Sequence, residues 1–262
     1  MHCVRVDYPT DWPDCTIYPV ADLHIGDPHA DIGAVRALIQ RIQDDPRGLV
    51  VLNGDLLNTA VKSSVSDIYG EVLHPMEAVI ELVTMFRPLA DKIIGATIGN
   101  HEARVYRNDG IDIMRLACRE LGIEDKYSPE GVLIFLRFGT MDSNGRLADR
   151  NPRQLFTLYA THGSAGGRKE GAKAIRLADM ATIVDADVYL MSHVHMPMVL
   201  RESYYRTNAI GSTARKVDKL FVSTAATLDY GGYGQQQQYK PSSCKNPVIR
   251  LTAKNRFAEA LL

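Results

Sequence analysis

Five of the eight histidines in this chain, His24, His101, His162, His193 and His195, stand at or just past the ends of short apolar runs, with Asp22, Asp55 and Asn100 in matching positions. One histidine after a strand is ordinarily a hydrogen-bonded structural residue. Five such positions, interleaved with carboxylate and amide oxygens, point instead to one polar centre fed by several strands. Imidazole and carboxylate together suit borderline divalent metals, whereas magnesium and calcium prefer shells of oxygen alone. Asp22, His24, Asp55, Asn100, His162, His193 and His195 are more ligands than one tetrahedral ion needs, and they suffice for two ions if one carboxylate is shared. Paired ions polarise a phosphoryl oxygen and lower the pKa of a bound water, so the chemistry expected is phosphoester hydrolysis.

The elements that must position these residues alternate in the manner of an α/β fold. Thr16–Ala21, Gly48–Leu52, Lys92–Ile98, Leu155–Ala160 and Asp187–Met191 read as buried strands. Helical patterns follow at about Asp31–Gln43, with Asp31 as N-cap, and at Met76–Met85, Ile111–Leu121 and Ala172–Met180. Past His195 the text turns β-rich, with Met198–Arg201, Leu220–Ala225 and Val248–Thr252 as strands of an antiparallel sheet. No linker divides the chain, so residues 1–262 are expected to form a single domain whose part from about 197 to 262 is mainly β and basic.

Composition sets the remaining bounds. The chain has 262 residues, 45% of them hydrophobic and 23% charged, which is globular rather than disordered composition. A net charge of -1 rules out a whole-molecule field that attracts polyanions. Charge is nevertheless uneven, with nine acids and four bases in residues 1–60 against ten bases and four acids in residues 201–262. Four scattered cysteines form no disulfide framework. The start of the chain has no apolar leader, and nothing approaches the ~18 apolar residues of a membrane span, so a cytoplasmic protein with no membrane partner is expected.

The blocks Asp22-Leu23-His24, Gly54-Asp55-Leu56-Leu57-Asn58, Gly99-Asn100-His101-Glu102, Thr161-His162-Gly163 and His193-Val194-His195 occur in that order. The chain thereby resembles the calcineurin-like metallophosphoesterase superfamily, whose pattern is D-x-H, G-D-x-x-D/N, G-N-H-D/E, a lone H and G-H-x-H. The resemblance implies a four-layer α/β/β/α sandwich of two mixed sheets flanked by helices. It implies that Asp22, His24 and His195 hold one ion, that Asn100, His162 and His193 hold the other, and that Asp55 bridges them. It also makes His101 the catalytic residue, a general acid or transition-state stabiliser whose imidazole, if cationic, would neutralise charge developing on the leaving oxygen, with Asn58 supporting the loop. Ser192 replaces the usual glycine before His193. The arginines of the Ser/Thr protein phosphatase branch are absent, their places reading Asn58-Thr59-Ala60 and Ala103.

These features lead to a dimetal phosphodiesterase as the expected activity, with nuclease as one form of it. Two divalent ions are the expected cofactors, manganese first and zinc, iron or nickel as alternatives. The alternative activity is a phosphomonoesterase or nucleotide pyrophosphohydrolase, and a third reading is a catalytically silent scaffold. Arg104, Arg168 and Lys169 are the expected substrate-binding cations, the last two in the glycine-rich stretch Gly163–Lys169, which reads equally as a turn. Arg146, Arg150 and Arg153 flank a polar loop. Arg201, Arg206, Arg215, Lys216 and Lys219 are expected on the rim of the site, facing a polyanion such as nucleic acid. Tyr230 and Tyr233 stand among glycines, as base-stacking residues or a packed turn. Glu71, His74 and Glu77 read as a helix surface. Substrate, physiological metal and oligomeric state are left open.

Overall fold

The structure is a computed structural model that describes residues 1–62, 68–139, 153–164, 167, 169–236 and 238–262. Two six-stranded sheets face each other. One has the order β12(Phe257–Leu261), β11(Val248–Thr252), β2(Asp14–Val20), β3(Gly48–Asn53), β4(Ile93–Thr97), β5(Tyr127–Ser128). The other has the order β1(His2–Asp7), β6(Val132–Phe138), β7(Gln154–Thr161), β8(Val188–Met191), β10(Thr213–Ser223), β9(Met198–Asn208). Strands β2 to β5 are mutually parallel, as are β7, β8 and β10, so their C-terminal ends deliver loops to one edge of the sandwich. Both sheets are mixed, because β11 runs antiparallel to β2 and β9 antiparallel to β10.

Helices α1(Ile32–Asp44), α2(Pro75–Phe86), α3(Asn100–Asp109) and α4(Ile113–Glu120) accompany the first sheet, and α5(Glu170–Asp179) accompanies the second. Their starts follow from local chemistry. Asp31 Oδ1 accepts from Ala34 N at 2.9 Å, and Asp112 Oδ1 from Arg115 N at 2.8 Å, each satisfying an orphan N–H of a first helical turn. In α1, Val35, Ile39 and Ile42 recur at helical spacing and are fully or nearly buried. Three apolar layers result. Val20, Leu52, Ala96 and the helix faces form the first, Ile17, Val51, Ile134 and Phe156 fill the space between sheets, and Leu177, Tyr189 and Phe221 lie under α5. This is the α/β/β/α sandwich expected.

The C-terminal part departs from one antiparallel sheet. β9 and β10 complete one sheet while β11 and β12 complete the other, and β10 also runs parallel to β8. Both hairpin strands run well beyond the stretches expected, to 11 residues each. A short helix α6(Gly232–Gln236) replaces the glycine turn beside Tyr230, whose hydroxyl donates to Tyr239 O at 2.7 Å. Among the described residues, no helix is long and apolar enough to cross a membrane.

Candidate metal centre

Each candidate ligand lies directly past a strand end. Asp22 and His24 follow β2, Asp55 follows β3, Asn100 opens α3 after β4, His162 follows β7, and His193 and His195 follow β8. Five of them hold left-handed backbone conformations, with φ of 52° at Asp22, 49° at His24, 49° at Asp55, 71° at His193 and 50° at His195. Side chains other than glycine occupy this region at a cost of about 1–3 kcal/mol each, so the surroundings must impose it. Asp22 N donates to Gly54 O at 3.1 Å, His24 N to Asp55 O at 3.1 Å and Ile25 N to Leu56 O at 2.9 Å, lacing the first two loops together. Ser192 N donates to His162 O at 3.1 Å and Val194 N to Ser192 O at 2.8 Å, which fixes the loop carrying both late histidines.

The side chains converge in two groups. In the first, His195 Nε2 lies 3.3 Å from His24 Nε2 and 3.3 Å from Asp22 Oδ1. In the second, His162 Nε2 lies 3.1 Å from Asp55 Oδ2 and 3.3 Å from Asn100 Oδ1, and its ring meets that of His193 with centroids 5.1 Å apart. Asp55, His162 and His193 offer ligand atoms within 4.8 Å of one another, as do Asp22, His24 and His195, and as do His24, Asp55 and His101. Asp55 therefore stands between the two groups. Ligand bonds of ~2.0–2.2 Å around one ion place neighbouring donor atoms ~3.0–3.5 Å apart, which these spacings match.

Protonation is consistent with cation binding. Burial drives His24 well below its ordinary value, with His101 adding to the effect, and burial also lowers His193. Both offer lone pairs at neutral pH. Burial opposes a charge on Asp55, but the adjacent His162 imidazole overrules it and holds the carboxyl below the usual range. Burial likewise opposes a charge on His162, and the Asp55 carboxylate overrules it, pushing His162 up to about 9. Without metal, one proton is thus shared by this pair, and a divalent ion would displace it. His162 Nδ1 donates to Asn53 O at 2.8 Å, which directs Nε2 at the site.

His101 also faces the centre. Its Nδ1 donates to Asn58 O and Asn58 Oδ1, both at 2.9 Å, and its Nε2 lies 3.9 Å from Asp55 Oδ2. Burial pulls this imidazole down to about 4 against the attraction of Asp55. Burial thus favours the neutral ring, while Asp55 favours the cation. Arg104, on the next turn of α3, is partly buried; burial lowers its pKa while Asp55, Glu102 and Glu71 oppose that shift.

Glycine makes the close approach possible at Gly99. A Cβ there would stand 2.1 Å from both Asp55 N and Asp55 Oδ1. Glu102, buried behind this contact, accepts from Asp55 N at 3.1 Å, Leu57 N at 2.9 Å and Gly99 N at 2.9 Å. It clasps the β3 loop to the start of α3, a function not assigned from the sequence. The signal was present: a glutamate three residues past a cap position reaches back to the cap N–H, so a further helix, α3, begins at Asn100 ahead of the one expected at Ile111–Leu121, which is α4. Thr224 Oγ1 donates to Asp22 Oδ2 at 3.1 Å, and Lys173 Nζ donates to Val194 O at 2.9 Å, between the paired histidines. Ser192 Oγ accepts from Asn53 Nδ2 at 2.7 Å, so the serine in the glycine's place ties the two sheets together.

Several expectations are revised. Only Glu77 of the three supposed helix-surface residues lies in a helix; His74 precedes it, and Glu71 accepts from Asn58 Nδ2 at 2.9 Å and Ala60 N at 2.5 Å, bracing the loop that holds His101. Lys169 is exposed before α5, while Arg168, Ala165, Gly166, Arg146 and Arg150 lie outside the described residues, as does the side chain of Tyr233. Arg153 Nε donates to Tyr8 O at 3.0 Å. The basic group is not on the rim. Arg215 lies nine residues before Thr224 along extended β10, about 30 Å from Asp22 at ~3.3 Å per residue. Lys219 and Arg206 are both drawn into ion pairs with Asp185, at 2.9 and 2.8 Å.

The model of the calcineurin-like phosphoesterase family matches residues 23–197. Among curated proteins none matches. Similar solved structures include a predicted phosphoesterase from Streptococcus pneumoniae, at 14% identity, covering 95% of this chain and 97% of that one, with a TM-score of 0.37. A Vps29 single mutant from Entamoeba histolytica shares 12% identity, covering 94% of this chain and 98% of that one, with a TM-score of 0.39. Wild-type Vps29 complexed with zinc, from the same organism, shares 11% identity, covering 94% and 97%, with a TM-score of 0.36. Scores this low leave the family match and the His/Asp clusters as the support for metal-dependent phosphoester hydrolysis. With that match spanning most of the chain and all five of its motif blocks meeting at one edge of the sandwich, the chain belongs to the calcineurin-like phosphoesterase family.

Proposed function

We propose that this chain is a dimetal phosphodiesterase, with nucleic acid as one substrate class. The observation that carries the reading is the position of Asp55 between two ligand groups, Asp22 with His24 and His195 on one side, Asn100 with His162 and His193 on the other. Two divalent ions bound there would polarise a phosphoryl oxygen and supply a hydroxide nucleophile at neutral pH, and manganese is the first candidate. Asp22 is oriented for this by Thr224 Oγ1 and by His193 N, at 3.1 and 3.2 Å from its Oδ2.

His101 serves the leaving group. Asn58 and the backbone of α3 fix its ring, so Nε2 projects toward the space between the clusters. A phosphate anion within reach adds the negative charge that favours protonation at Nε2, from which the proton passes to the leaving oxygen. Arg104 adds positive charge beside it. A diester monoanion needs fewer cations than a monoester dianion. The loop places that carry arginine in protein phosphatases are filled here by Thr59-Ala60 and Ala103, with Thr59 Oγ1 donating to His101 O at 2.7 Å.

The test is the ratio of hydrolysis rates for bis-p-nitrophenyl phosphate and p-nitrophenyl phosphate on manganese-loaded protein, with Asp55→Ala as control. A diester preference that Asp55→Ala abolishes is the expected result. A monoester preference would replace the reading by a phosphomonoesterase, and hydrolysis of neither with two ions bound would leave a scaffold.

A further inference from the structure

A single carboxylate oxygen spans the turn that holds the His101 ring. The turn Asn58-Thr59-Ala60 follows the Asp55 loop, and Thr59 at its centre has φ of 47°, a left-handed conformation that a β-branched residue keeps only where its surroundings impose it. Glu71 Oε1 bridges this residue, accepting from Asn58 Nδ2 at 2.9 Å on one side and from Ala60 N at 2.5 Å on the other. Asn58 N donates to Ile25 O at 3.0 Å, and Thr59 Oγ1 donates to His101 O at 2.7 Å. Asn58 and Thr59 are buried and Glu71 is half-buried. The segment bearing Glu71 is itself fastened, Val72 N donating to Gly26 O at 2.9 Å.

The same oxygen decides which way the Asn58 amide faces. An ionised carboxylate only accepts, so Nδ2 turns to Glu71 and Oδ1 is left for His101, whose Nδ1 donates to Asn58 Oδ1 and Asn58 O at 2.9 Å each. Both acceptors of the ring therefore belong to one residue, and Glu71 holds that residue from behind through its side chain and through the neighbouring Ala60 N–H. Without Glu71 the amide is free to rotate and set its NH₂ against the Nδ1–H donor. The opposite ring nitrogen, Nε2, lies 3.9 Å from Asp55 Oδ2, on the side of the ligand groups.

We propose that Glu71 is a positioning residue for phosphodiester hydrolysis, fixing the His101 ring through Asn58 so that Nε2 meets the leaving oxygen. Its two bonds go to the turn and to no candidate metal ligand, so its effect runs through His101. The chemistry rests on the diesterase reading, whereas the orientation of the ring rests on the Asn58 contacts alone.

The experiment measures kcat and KM of the full-length, manganese-loaded protein on methyl p-nitrophenyl phosphate and methyl phenyl phosphate, the second having the leaving group that needs a proton more. Wild type is compared with Glu71→Ala, Glu71→Gln, His101→Asn and the Glu71→Ala, His101→Asn double variant. The expected result is that Glu71→Ala lowers kcat roughly tenfold on the phenyl ester and less on the nitrophenyl ester, with KM nearly constant. Glu71→Gln, which keeps the Oε1 acceptor, recovers most of that loss, and the double variant is no slower than His101→Asn alone. Equal losses on both esters, or a further loss in the double variant, overturn the assignment. A second readout needs no activity: the downfield Nδ1–H proton resonance of His101 in the metal-free protein, identified by its absence from His101→Asn. It is expected to be protected from solvent exchange in wild type and Glu71→Gln and broadened in Glu71→Ala, and an unchanged resonance in Glu71→Ala overturns the assignment. Hydrolysis of neither ester by wild type removes the diesterase reading, and the ring resonance then decides whether Glu71 orients His101.

Discussion

Gly99→Ala isolates the close approach on which the centre depends. The backbone at Gly99 has φ -97° and ψ 177°, an extended conformation any residue adopts, so the substitution carries no dihedral penalty. What it adds is a methyl group 2.1 Å from Asp55 N and Oδ1 and 2.7 Å from Asp55 Cγ. Ordinary contact lies near ~3.5 Å, so Asp55 must retreat by more than ~1 Å. Its backbone cannot do so freely, being tied to Glu102 Oε2 through N at 3.1 Å and to His24 N through O at 3.1 Å. The strain of such overpacking is about 1–3 kcal/mol. Displacement of the shared carboxylate by ~1 Å exceeds the ±0.2 Å that metal sites tolerate, so affinity for manganese should fall roughly tenfold or more, with loss of diester hydrolysis. Gly110→Ala is the counterpart. There φ is +73° with nothing within 4 Å, so only backbone strain of about 1 kcal/mol is added and metal affinity should be unchanged. Chelator competition and urea unfolding of the metal-free proteins read the two quantities separately. Wild-type manganese affinity in Gly99→Ala would refute the reasoning.

Glu102→Gln turns one of three buried N–H groups toward an amide NH₂, and the metal-free protein should lose about 1–3 kcal/mol in urea unfolding; unchanged stability would remove the clasp from the account. His101→Asn should keep both ions and slow diester hydrolysis by roughly 10²–10⁴, whereas Asp55→Ala should lose metal and activity together, a contrast that metal analysis and steady-state kinetics establish. Asp14 tests pH dependence away from the metal site: burial would raise its carboxyl, but Arg250 and Arg47, at 2.7 and 2.8 Å, hold it below the ordinary value. Because the folded pKa is depressed, this contribution is present above the unfolded value of ~3.9 and is lost as pH falls through the folded one. Asp14→Asn should therefore cost about 1 kcal/mol at pH 7 and progressively less in acid, and a pH-independent difference in unfolding free energy would contradict the assignment.

Much of the centre was legible because strand ends are local features. An apolar run followed by Asp, Asn or His marks where a parallel strand hands over to its loop, and Asp22, Asp55, His162 and His193 were read in that way. The cap of α1 at Asp31 was legible for the same reason, since a side chain bonding an N–H three residues on is a local event. Glu102 was harder, because two of its three donors, on Asp55 and Leu57, lie more than forty residues away. Glu71 was misread because charged residues three apart imitate a helix face, and only the approach of Asn58 and Ala60 shows what it braces.

The sequence by itself determined which donor atoms are available and that each follows a strand. Tertiary structure alone decided which of them share a point in space. His24 and His195 are 171 residues apart and meet at 3.3 Å only because β2 and β8 end at the same edge of two packed sheets. The same packing carried Arg215 away from that edge: β10 is extended, so nine residues of sequence become about 30 Å of distance. Periodicity reports the direction in which a side chain leaves its own strand, whereas the meeting of strands depends on the pairing and layering of both sheets, which no local pattern encodes.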